Sequence, residues 1–419
     1  MRARLTGLWH HSDFMKLWAG QTISVFGSQI TLLALPMIAI LLLDASATQM
    51  GILTAAGTLP YLLVGLPAGV WVDRLRRRPI LIAADVGRAA LLATVPLAAA
   101  LGLLRIEFLC LVTFLVGVLT LFFDVTEEAY LPALIGREHL LEGNSKLALS
   151  NAIAEIGGPG VAGALLQAVS APVALVVNVC SFLASAMLLG RIRTTEPAPP
   201  PPKEQRRMGE EIREGLHVAL RHPLLRPMTA TSSTLQFFGG IKSALFIMYV
   251  TRGLGLSPAV VGLFYAVGSF SGLMGTLWGG EITRRLGPGP TIVSAAALIG
   301  VGWLSVPLAS GPPIQAISTL VIGALFAGMG NMVYNIGSSS LSQAITPDRL
   351  LGRVNASRLF IMWGMLPIGS LVGGALGAAI GLRPALFGAG GGLLLGFLWV
   401  FFSPLRTLRE QPDMEPLRC

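Results

Sequence analysis

The sequence predicts an all-α membrane protein of twelve transmembrane helices in two pseudo-repeated six-helix halves. Three observations carry this. About twelve separate apolar runs occupy most of the 419 residues. Mean hydropathy is +0.71, and only 12% of residues are charged, far less than a soluble domain of this size exposes. Almost every Lys and Arg falls on one side of the membrane that the runs imply.

A helix crosses a bilayer with about 20 apolar residues. Runs of this kind lie near 14–43, 49–72, 80–103, 106–126, 147–168, 172–190, 228–251, 258–281, 291–310, 314–338, 354–380 and 384–403. The 50 Gly and 27 Pro favour a packed bundle, because small residues let membrane helices approach closely. The first run follows a basic segment but is too long for a cleavable signal, so the first helix is expected to insert and stay. With an even number of spans, the segments on one side hold 24 Lys and Arg, and those on the other hold three, Arg105, Arg252 and Arg383. The positive-inside rule then sets both termini in the cytosol of a multi-pass inner (plasma) membrane protein. The net charge of +9 is a topology signal and not a nucleic-acid footprint. Cys110 and Cys180 lie in spans and Cys419 ends the chain, a pattern that suggests neither a disulfide nor a metal site.

One break in hydropathy, 191–227, divides the chain. It yields an N-terminal half at 1–190, a linker at 191–227, a C-terminal half at 228–405 and a tail at 406–419. The linker opens with a Pro-rich spacer at Pro197–Pro202, stiff and extended. A charged stretch with helical spacing follows, which predicts a helix along the cytosolic surface. The halves repeat at an offset of 211 residues: Gly51 matches Gly262, Gly57 matches Gly268, Gly69 matches Gly280, Arg74 matches Arg285 and Gly163 matches Gly374. A six-span unit duplicated in parallel is the pattern of one large class of transporters.

The connection after the second run reads Gly69-Val70-Trp71-Val72-Asp73-Arg74-Leu75-Arg76-Arg77-Arg78-Pro79. It resembles motif A of the major facilitator superfamily at Gly69, Asp73, Arg74, Arg77 and Arg78; the usual second glycine is replaced by Arg76. Segments 122–147, 210–227 and 346–374 are similar to the multidrug-efflux branch that holds macrolide-efflux proteins and the enterobactin exporter. The resemblance implies a secondary active transporter, not an enzyme. It would export small amphipathic molecules, drugs or secondary metabolites, by alternating access and proton antiport, as a monomer without a cofactor. A siderophore exporter or lysolipid mover is the nearest alternative, and a non-transporting receptor or scaffold is the alternative of another class.

In that superfamily the motif A loop is a conformational latch. Asp73 can accept from free N–H groups at a helix start, and Arg77 or Arg78 could reach Asp124. Glu155 lies about 12 Å into the fifth run, where a carboxylate serves as a proton carrier or as a buried structural partner. The Gly158-Pro159 step with Gly163 resembles the core of the superfamily's antiporter motif. Lys242, inside the seventh run, needs a partner or water, and is either a substrate or proton-coupling contact or a structural cation. Asp85 and Arg88, three apart, are expected to neutralise one another. Arg358 and Asp44 read as boundary residues. Polar stripes mark a candidate cavity: Gln21, Ser24 and Ser28 in the first run, Thr113 in the fourth, Asn331 and Asn335 in the tenth, with Phe238 on an apolar wall. These read as packing bonds or as cavity lining. The sequence lacks a phosphate-binding G-x-x-x-x-G-K-[ST] loop and an H-E-x-x-H pair, which argues against an ATP-driven pump or a metalloprotease. Asp73→Asn is expected to insert normally and to lower transport in a flux assay, since Asp73 adds nothing to topology. Normal flux from a well-expressed variant would reduce the loop to an orientation signal.

Overall fold

The computed structural model describes residues 7–72, 74–194, 196 and 208–409. Among these residues the protein is helical, without strands. Its helices are α1 (Ser12–Leu41), α2 (Ala47–Leu63), α3 (Gly65–Val72), α4 (Arg77–Ala100), α5 (Ile106–Ile135), α6 (Leu140–Ala168), α7 (Ala171–Gly190), α8 (Met208–Arg221), α9 (Leu225–Met248), α10 (Pro258–Leu286), α11 (Pro288–Leu308), α12 (Pro313–Ile345), α13 (Asp348–Ile380) and α14 (Leu382–Phe401). Nine described helices are long and apolar enough to cross a membrane. They are α1, α4, α5, α7 and α10 to α14. The predicted runs at 49–72, 147–168 and 228–251 are also helical, but α2 is short and α6 and α9 carry the polar side chains that lower hydropathy. The run at 49–72 is two helices and not one. Pro67 has no N–H to offer the Leu63 carbonyl, and the helix breaks between them.

The chain forms two compact units, Met1–Ala45 with Ala56–Lys203, and Ser46–Ala55 with Glu204–Cys419. In the first, α1 packs on α6 and α7, and α4 on α5 and α7. In the second, α9 packs on α13 and α14, α12 on α10 and α11, and α11 on α14. The predicted surface helix is α8, which rests on α13 and is tied to it by an ion pair between Glu214 and Arg353. The Pro197–Pro202 spacer lies outside the described residues.

Glycines set the closest approaches. A Cβ on Gly117 of α5 would lie 2.8 Å from the Gly57 carbonyl of α2. The second unit repeats this contact between Gly328 of α12 and the Gly268 carbonyl of α10, each residue displaced by the same 211 positions. The repeat read from the sequence is therefore a repeat of packing. Within the second unit Gly51 meets Ser370 and Gly374, at 2.6 and 2.8 Å from an added Cβ. Gly240 of α9 and Gly369 of α13 face each other's helix backbone, at Leu366 and Phe237, with no room for a side chain. Large apolar side chains such as Leu101, Leu277, Leu325 and Trp399 remain on the outside, the arrangement of a protein whose solvent is lipid. Gly369→Val should destabilise the purified protein by about 3 kcal/mol through overpacking, read as a lower thermal midpoint. Gly388→Ala, where an added Cβ meets nothing within 4 Å, should stay within about 0.5 kcal/mol.

Candidate functional site

Each unit holds charge inside its apolar helices, and the two sets differ in sign. In the first unit, Asp124, Glu127 and Glu128 fall at i, i+3 and i+4 on α5, hence on one side of the helix. Glu127 Oε2 accepts from Gln21 Nε2 of α1 at 2.6 Å. The other amide atom, Gln21 Oε1, is buried without a partner. Asp124 Oδ2 accepts from the Tyr61 hydroxyl of α2 at 3.0 Å. Beside them on α4, Arg88 and Asp85 form the buried pair that the sequence suggests, at 2.5 Å. The Arg88 guanidinium is also sandwiched by Phe123 and Phe182, each ring centroid 4.3 Å away. The Glu127–Gln21 and Asp124–Tyr61 contacts are the part of this cluster that the spacing argument missed. The predicted fourth run stopped at 126, whereas α5 continues to Ile135 and carries Glu127 inside the helix.

Glu155 is exposed on α6 and has no hydrogen-bond or ion partner among the described residues of its unit. The Gly-Pro step behind it lets α1 approach: a Cβ on Gly158 would lie 2.5 Å from the Gln29 side chain. Pro159 and Gly163 are buried in the same helix.

The loop at 69–79 differs from expectation. Asp73 lies outside the described residues. Gly69 sits in α3 with open space where a Cβ would point, and Arg74 is exposed. The acid at the start of α4 is Glu196, whose carboxylate accepts from the Arg77 N–H at 2.9 Å and from the Arg78 N–H at 3.3 Å. A carboxylate there satisfies donors that the helix leaves free and complements its dipole. Arg77 and Arg78 do not engage Asp124. The Arg77 guanidinium lies 3.8 Å from Glu196, and Arg78 donates to the Leu189 and Gly190 carbonyls at the end of α7. Leu189 and Gly190 are the last two residues of α7, where helix carbonyls lack full intrahelical partners, and they are the nearer acceptors.

The polar stripes separate into packing and cavity. On α1, Gln21 and Ser24 are buried and the Ser28 hydroxyl donates to the Ser24 carbonyl. On α5, the Thr113 hydroxyl donates to the Leu109 carbonyl and its methyl packs at Gly57. Phe238 of α9 covers Gly392 of α14, where any side chain would collide with the ring. In the second unit, Asn331 and Asn335 of α12 line a cavity of about 260 Å³, together with Ser232, Gln236 and Lys242 of α9, Trp303 of α11 and Trp363 of α13. Lys242 is half-buried, and its ammonium lies 3.7 Å above the Trp303 ring. A neighbouring cavity of about 530 Å³ is lined by Ser338, Ser342, Asn355 and Arg358. Arg358, read from the sequence as a boundary residue, is 6% exposed and sits inside α13. An uncompensated cation in a membrane helix costs about 2.5–3.5 kcal/mol on insertion scales, and both cations lie against the polar linings of these cavities.

Two units of apolar helices that keep ionisable groups inside them, the second around polar cavities, are the architecture of a membrane transporter. The profile of the Major Facilitator Superfamily matches residues 17–364, and the chain belongs to that superfamily. It is similar to the multidrug efflux pump Tap of Mycolicibacterium fortuitum, 26% identical over 91% of this chain and 93% of that protein. It is similar also to the enterobactin exporter EntS of Citrobacter koseri, 25% identical over 96% and 95%. Among solved structures, the nucleoside transporter NupG shares the fold with a TM-score of 0.74 at 11% identity, covering 94% of this chain and 99% of that one. A bacterial homologue of the iron transporter ferroportin does so with a TM-score of 0.73 at 17% identity, over 94% and 99%.

Asp85→Ala should lower stability by about 3–5 kcal/mol, since it strands the Arg88 charge between two rings. A double Asp85→Ala, Arg88→Met variant should recover most of the loss in a thermal-unfolding comparison.

Proposed function

We propose that this protein exports small amphipathic molecules from the cytosol by alternating access, driven by inward proton flow. It would act as a monomer in the inner (plasma) membrane with both termini cytosolic. Orientation is supported by the basic segments of one side, and the direction of transport by the exporter relatives. A siderophore exporter fits the same site, and enterobactin exporters are among the similar proteins.

The observation that carries proton coupling is the Glu127–Gln21 pair. The ionised carboxylate accepts from the amide Nε2. A protonated Glu127 has an O–H to donate, and the orphaned Gln21 Oε1 can accept it after a rotation of the amide. One partner can therefore satisfy both charge states, as a group that loads and unloads a proton in every cycle requires. Proton uptake removes a charge from the apolar zone, and a change of charge state biases which conformation is stable. Glu155, without a partner among the described residues of its unit, is the second carboxylate proposed for this role, and the 69–79 loop with Glu196 is the proposed latch.

The test is flux into proteoliposomes of fluorescent cationic, neutral and anionic amphiphiles, with and without an imposed pH gradient. Wild type should concentrate a substrate only with the gradient. Glu127→Gln should lose gradient-driven accumulation and keep counterflow, because the substrate site survives while the proton carrier does not. Full gradient response in Glu127→Gln with loss in Glu155→Gln would move the role to Glu155. Accumulation indifferent to both substitutions and to the gradient would sink proton antiport.

A further inference from the structure

The apolar helices of the second unit, α9 to α14, are nearly free of acids. Between Leu225 and Arg409 the sequence holds two, Glu281 and Asp348. Glu281 is taken up by Arg284 and Arg285 at the end of α10. Asp348 opens α13, ten residues and about 15 Å of helix before Arg358. Neither Lys242 nor Arg358 therefore has an acid within two helical turns on its own helix. Among the described residues of the unit, neither makes a hydrogen bond or an ion pair, and Arg358 Nε is buried without a partner. Lys242 is not turned outward to a membrane surface, because its ammonium is held over Trp303.

The two cavities that these cations line share Ser232, Asn335 and Met362, so one polar path joins them. We infer that this path is an anion-binding site. It takes an amphipathic organic acid whose acidic group lies at Lys242 or Arg358 and whose aromatic body lies on Trp303 and Trp363. The chemistry at each point fits. A guanidinium offers a planar fork that matches a carboxylate or phosphate. An ammonium already against a ring face gains an anion on its open side. The Asn335 amide and the Ser232 hydroxyl between them orient the polar part, while Met362 adapts to varied apolar shapes. The basic set in this unit and the acidic set in the first divide the work, the anion to one and the proton to the other. The inference rests on the exporter reading and deepens it by naming the class of molecule carried.

The experiment uses the full protein in nanodiscs of phosphatidylcholine, with energy transfer from tryptophan to 1-pyrenebutyrate, 1-pyrenebutanol or 1-pyrenebutylamine as readout. The carboxylate should bind at least about tenfold more tightly than the alcohol or the amine. Lys242→Gln or Arg358→Gln should remove most of that preference, according to which cation holds the acid, and Lys242→Arg and Arg358→Lys should retain it, which separates lost charge from lost folding. Equal binding of the three probes, or a preference for the amine, would overturn the anion site. So would a carboxylate preference unchanged in both Gln variants. Displacement of pyrenebutyrate by phosphatidylglycerol built into the discs would overturn the assignment to a transported acid and give the site to a lipid headgroup. Counterflow of the same probes separates this inference from the exporter reading. Selective binding without counterflow would fail transport and leave the anion site standing. Counterflow of the alcohol and the carboxylate alike, unaltered by Lys242→Gln, would keep transport and sink the anion site.

Discussion

In hydrocarbon there is no water to solvate a charge, so each ionisable group in a spanning helix needs a partner within the protein or a wet cavity. This constraint organises the molecule. Arg88 meets it with Asp85 and two aromatic faces. Asp124 and Glu127 meet it with neutral donors, Tyr61 and Gln21. Among the described residues of their unit, Lys242 and Arg358 meet it through a ring face and a cavity. The three solutions differ in what they permit. A closed ion pair is fixed, a carboxylate on a neutral amide can change protonation state, and a cation facing a cavity can take a ligand.

Packing between small residues makes those arrangements possible. The lipid tails are as apolar as the helices, so association depends on close approach and not on hydrophobic burial. The Gly57–Gly117 and Gly268–Gly328 crossings bring helices together in both units with the same spacing. The Gly240–Gly369 approach presses α9 onto α13, the two helices whose side chains, Lys242 and Arg358, line the cavities. The duplicated sequence thus yields a duplicated scaffold, while the charges placed on it outside the Asp85–Arg88 pair are acidic on α5 and α6 and basic on α9 and α13.

Much of this was legible in the sequence. Apolar runs and the 211-residue offset are written in residue type and spacing, and each predicted run coincides for most of its length with helix, that at 49–72 in two pieces. The α12 stripe of Asn331 and Asn335 lines a cavity as its spacing suggests. What escaped has physical causes. Hydropathy ends a run where charge begins, so it truncated α5 just before Glu127 and missed the polar extensions of α12 and α13, each 33 residues long. Spacing gives a face but no partner, so it joined Arg77 and Arg78 to Asp124, whereas Glu196, far along the chain, caps the start of α4. Phe238 was read as a cavity wall because an aromatic in a span has no direction in sequence; its ring packs on Gly392.

The central claim is that substrate and proton are linked through groups of opposite charge in one protein. Calorimetry of pyrenebutyrate binding to the purified transporter, in buffers of different ionisation enthalpy, measures that linkage without any gradient. The account predicts that binding releases protons in wild type and that Glu127→Gln abolishes the release, because linkage is reciprocal at equilibrium. Binding with no proton exchange in wild type would contradict it.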